Sequence, residues 1–124
     1  MAALAVKTSH DVEYAQWLAE IDFYKTELVK MQRQLEDFLP TFYNASFAAM
    51  VERFQNRFIR QREVIDILRH DVKQHENDIQ RLQTHPTPEL RDKVSRRHMR
   101  LRGDMNTFID LFVELERDFS DFLA

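Results

Sequence analysis

The chain has 124 residues, 44% of them hydrophobic, enough for one continuous core and one domain spanning 1–124. A net charge of -3 gives no overall reason to bind nucleic acid or an anionic membrane, and the absence of cysteine excludes disulfides, thiolate zinc sites and cysteine nucleophiles. One glycine and three prolines leave few turns, so an all-α fold of long helices is expected. The AALAV run near the start is too short for a signal-peptide core or a membrane span, and no other apolar run approaches the length of a span; a cytoplasmic protein without a membrane segment is expected.

The first helix is predicted over about residues 9–39, capped by Thr8 or Ser9 and ended by Pro40. Within it Tyr14, Trp17, Ile21, Tyr24, Leu28, Met31, Leu35 and Phe38 recur at alternating spacings of three and four, the period of a heptad seam. The second, over about 45–84, starts at Asn44 or Ser46. Its seam is Phe47, Val51, Phe54, Phe58, Gln61, Ile65, Leu68, Val72, His75, Ile79 and Leu82, with Gln61 and His75 the polar members. A buried amide such as Gln61 is expected to pair with a neighbour or a water and to disfavour slipped registers. His85-Pro86-Thr87-Pro88 ends that helix and opens the third, over about 88–123, with Thr87 as cap and Pro88 in the first turn. The third seam runs Val94, His98, Leu101, Met105, Phe108, Phe112, Leu115, Phe119 and Phe122. Short connections make neighbours antiparallel, so the expectation is three long antiparallel helices in a coiled-coil-like bundle.

Antiparallel pairing about turn centres near 42.5 and 86.5 gives a register. It levels Trp17 with Leu68 and Met105, Ile21 with Ile65 and Phe108, Leu28 with Phe58 and Leu115, and Leu35 with Val51 and Phe122. It levels His75 with His10 and His98. Three imidazoles in one layer suit a polar stratum that fixes register, and they are also the candidate ligands of a transition metal with an open fourth position. No helix carries His-x-x-x-His or Glu-x-x-His, which weighs against a metal; Asp71 and Glu76 flank the seam where an acid could orient an imidazole.

The segments WLAEIDFYKTEL and VERFQNRFIRQREVIDILRHDVKQHE, about a third of the chain, resemble those of a loose group of small uncharacterised bacterial helical coiled-coil proteins. The resemblance implies a helical coiled-coil fold and brings no activity, cofactor or catalytic residue with it.

Surfaces carry what remains. Residues 91–102 hold six bases against Asp92, and residues 104–121 hold six acids against Arg117, an order that opposes the helix dipole. Arg96, Arg97 and Arg100 in the basic block could meet an acidic partner or the acidic half of another copy, or contact nucleic acid weakly. Gly103, between the blocks, marks a kink, a close backbone approach or a tolerated helical glycine. Leu18 and Phe23 in the first helix, with Ile109, Leu111, Val113 and Leu123 in the third, add apolar area beside the seams and suit self-association or a helical partner. No nucleophile–base pair, phosphate-cradling glycine loop or cofactor motif is present, so a non-enzymatic interaction or scaffold protein without a cofactor is expected, a metal-binding protein built on the histidine layer being the first alternative and a nucleic-acid binder the second.

Overall fold

The computed structural model describes residues 9–38 and 44–124, with side chains from residue 12 onward. It contains three helices, α1 (Ser9–Phe38), α2 (Ala45–Thr84) and α3 (Pro88–Leu123), of 30, 40 and 36 residues. At a rise of 1.5 Å per residue they are about 45, 60 and 54 Å long. Thr8, the turn at 39–43 with Pro40, and the side chain of His10 lie outside the described residues.

The helix ends follow local chemistry. Ser9 lies inside α1, while Asn44 caps α2, its side-chain oxygen accepting from the Phe47 N–H at 2.8 Å. Thr87 caps α3, accepting from the Leu90 N–H at 3.1 Å, with Pro88 where its missing N–H costs no helical bond. At the end of α2 the His85 N–H still reaches the Arg81 carbonyl, and Pro86 stops the chain from continuing.

Neighbours are antiparallel, since Phe38 meets Phe47 beside one turn and His75 meets His98 towards the other. α2 packs extensively on both partners, and α1 touches α3 more sparingly. The seams form the core: Ile21, Leu28, Ile65, Val72, Leu101 and Phe112 are completely enclosed, each such side chain contributing about 1.5–3 kcal/mol. Phenylalanines dominate one end, where Phe54 packs edge-on against Phe119 and the rings of Phe47 and Phe122 stack at 5.5 Å. Ile79, Val94 and Leu90 form a second cluster near the α2–α3 turn, Leu90 prolonging the third seam by one position.

The register deduced from the turn centres is reproduced by several pairs. Phe54 meets Phe119 and Tyr24 meets Phe112, at 5.4 and 4.7 Å, and His75 meets His98. Trp17, in one core cluster with Leu68 and Met105, also reaches past its own level. Its indole lies 4.7 Å from the His98 ring and 6.4 Å from that of His75, beyond its expected partners Leu68 and Met105. A long helical side chain leans toward the N-terminus of its own helix, and in α1 that direction leads to the histidines.

Two further positions are informative. The Gln61 Oε1 is buried and accepts no hydrogen bond from the described residues. At Gly103 there is no close approach, because an added Cβ would meet nothing within 4 Å and the backbone is ordinary helix.

Candidate functional site

The polar groups inside the bundle converge at the end where α1 begins. His75 of α2 is completely buried and His98 of α3 is 1% exposed. The seam periods place both on core faces, and their Nε2 and Nδ1 atoms face each other at 2.8 Å. On its other side, His98 Nε2 lies 2.7 Å from Oε1 of Glu13 in α1. Arg102, one turn after His98 on the same face of α3, donates to Glu13 through Nε at 2.8 Å and an Nη at 2.7 Å. The forked guanidinium–carboxylate pair closes the layer toward solvent, and the indole of Trp17 covers the imidazoles.

Donor–acceptor chemistry orients this chain of groups. A carboxylate only accepts, so His98 Nε2 carries the hydrogen that points to Glu13. With one hydrogen on each ring, His98 then accepts at Nδ1 and His75 donates from Nε2. The polarity therefore runs from His75 through His98 to Glu13, where the Arg102 charge terminates it. Glu13 is held far below the ordinary carboxylate range, at about 2, by the hydrogen bonds from Arg102, against the opposing effect of partial burial and with further help from His98.

Such a layer ties three helices together at one level. His98 spends both ring nitrogens on hydrogen bonds, and the 2.8 Å approach to His75 leaves no room for an ion between the facing nitrogens, since metal–imidazole bonds alone take about 2.0–2.1 Å each. Among the described residues no group of three or more His, Asp or Glu is arranged to hold a metal ion. The enclosure of both imidazoles means that a substrate would have to displace packed side chains to reach them.

Of the three histidines singled out in the sequence, the structure brings together His75 and His98; the side chain of His10 lies outside the described residues. The acid that orients an imidazole is Glu13, in place of Asp71 and Glu76. Asp71 faces His70 Nδ1 at 3.4 Å, and Glu76 lies 4.0 Å from Lys73. Sequence reasoning misses Glu13, although it precedes Trp17 by one turn on the same face, as Arg102 follows His98.

It misses Asp78 as well. Only 8% exposed, Asp78 receives Arg97 at 2.8 Å and both Lys93 and Arg81 at 3.6 Å. The deduced α2–α3 register passes between Lys93 and Arg97 at this level, so the cage is legible there. It accounts for much of the basic block: Arg97 and Lys93 serve Asp78, Arg102 serves Glu13, and Arg100 lies 3.9 Å from Asp104. Arg96 is exposed.

The apolar candidates divide. Leu18, Ile109 and Leu123 are partly buried against the core. Phe23, Leu111 and Val113 remain 57%, 49% and 48% exposed, joined by Ile67 at 61%. Between α1 and α3, burial raises the pKa of Glu20 and Glu116, Glu116 also through Glu27, and burial with these acids raises that of Tyr24.

Fold and site together define an all-α three-helix bundle crossed by a buried polar layer, with no helix among the described residues long and apolar enough to cross a membrane. No protein-family model, curated protein or solved structure matches the chain.

Proposed function

We propose that this protein is a non-enzymatic interaction or scaffold module of the cytoplasm, a coiled-coil-like bundle that associates with helical partners and with its own copies. The observation that carries this is the exposure of large apolar side chains outside an already closed core, Ile67 and Leu111 among them. With about half of each such chain still in water, a partner that covered it would contribute about 1 kcal/mol per residue. The inaccessible imidazole pair supports a structural role for the polar layer, and the engagement of Arg97, Lys93 and Arg102 by acids of the same chain weakens the case for a nucleic-acid surface. Light scattering from about 1 to about 100 μM tests the self-association. A mass rising toward two chains is expected, and a single-chain mass throughout would overturn it.

A further inference from the structure

Ile67 and Leu111 do not stand alone. They line one groove between α2 and α3, floored by Leu68 and Phe108 and flanked on α2 by Val64. Its charged rim is ordered: Arg60 stands at one end, and Asp71 with Asp104 at the other. Along the outer face of α2 the sequence is Arg60, Val64, Ile67, Asp71, with spacings of four, three and four. That stripe is symmetric about the midpoint between Val64 and Ile67. A two-fold axis through this point, perpendicular to α2, would set Arg60 against Asp71 of a second copy and Val64 against Ile67 of the second copy, each contact occurring twice. Asp104 sits near Asp71 in the same groove and adds to the negative end that would face the incoming Arg60. Among the described residues Arg60 makes no ion pair.

We infer that the α2–α3 groove is a self-complementary docking surface for a second copy of this chain, lying antiparallel with Val64 and Ile67 at its centre and Arg60–Asp71 pairs at both ends. The inference rests on the self-association proposed above and adds the surface and the geometry. Charge order selects this occupant: an antiparallel second copy brings opposite charges together at both ends, whereas a parallel one sets Arg60 beside Arg60 and Asp71 beside Asp71. The whole stripe from Arg60 to Asp71 runs only about 16 Å along α2, short of what a permanent interface of roughly 800 Å² per partner needs, so association is reversible and concentration-dependent.

The test is a charge swap read by sedimentation equilibrium on the full chain, with circular dichroism as a check that each variant stays helical. Arg60→Glu and Asp71→Arg each place like charges together in a homodimer and are expected to weaken it at least about tenfold. Mixed in equal amounts, the two variants set the introduced glutamate against the introduced arginine at one end and keep the native Arg60–Asp71 pair at the other. The mixture is expected to associate within about threefold of the wild-type strength. Ile67→Ser, at an exposed position, is expected to weaken the dimer and to leave the melting temperature unchanged at about 1 μM, where the chain is monomeric. A wild-type dimer indifferent to both charge reversals would overturn this surface and leave self-association through another face. Two weakened variants that fail to rescue each other would overturn the antiparallel pairing. A wild-type monomer throughout would overturn the self-association itself.

Discussion

Replacing Glu13 by Gln should destabilise the bundle in a pH-dependent way whose size follows from the polar layer. The amide keeps an oxygen to accept from His98 and loses the charge that Arg102 embraces. The depression of the Glu13 pKa from 4.5 to about 2 corresponds to an upper bound of about 3.4 kcal/mol at ~1.36 kcal/mol per pKa unit. The carboxylate is 27% exposed and the Arg102 side chain 51%, so solvent screening reduces the expected contribution to about 1–2 kcal/mol. Because the folded-state value lies below the ordinary one, this stability is complete above about pH 5 and is lost as the pH falls through 4.5 toward 2. Urea unfolding of both proteins at about pH 7 and about pH 2.5 reads the difference directly. Wild type should exceed Glu13→Gln by about 1–2 kcal/mol at the higher pH and by less than about 0.5 kcal/mol at the lower. Equal stability at neutral pH, or a gap that does not close on acidification, would refute the account of Glu13 as the charged terminus of the layer.

Gly103→Ala should raise stability by about 0.5–1 kcal/mol, or a few degrees in melting temperature, because the added methyl meets nothing within 4 Å and the helical backbone already suits alanine; unchanged or lowered thermal unfolding would mean the glycine serves something else. His75→Leu should lie within about 1 kcal/mol of wild type, the stranded Nδ1 of His98 offsetting the gain from an alkyl chain in the core. A double-mutant cycle with His98→Leu should then show a coupling of about 1 kcal/mol or more, and additive losses would deny the hydrogen bond between the two rings.

The fold was legible because its signals were redundant. The three-and-four spacing persists through every seam, Asn44 and Thr87 cap where polar residues precede apolar runs, and Pro86 and Pro88 punctuate the second turn tightly enough to level His75 with His98. The site was legible only at backbone resolution. A level marks where a Cα lies: Trp17 reaches His98 only through a side chain that leans along the axis, and Glu13 and Arg102, nearly level with each other, act from beside the seam. Asp78 lies outside every seam, so heptad spacing does not single it out; its burial shows only when the α2–α3 register brings Lys93 and Arg97 to its level. The partial burial of Leu18 and Ile109 was hidden for a different reason. The narrow seam counts as core what a two-stranded coil would bury, and a third helix covers flanking positions as well.

The buried polar layer also constrains what the outside of the molecule presents. Interdigitating apolar seams with a repeating heptad tolerate a slip of one turn, about 5.4 Å, at modest cost, since one large apolar residue replaces another. Moving α3 by that distance against α2 would part His98 from His75 and Glu13, and would draw Arg97 away from Asp78, leaving buried polar groups without hydrogen bonds at about 1–3 kcal/mol each. The slip would also carry Leu111 away from Val64 and Asp104 away from Asp71, removing the charge order of the groove. Core polarity at one end of the bundle thereby selects which surface pattern appears at its middle. This gives the imidazole pair a consequence at the surface even though no solute reaches it.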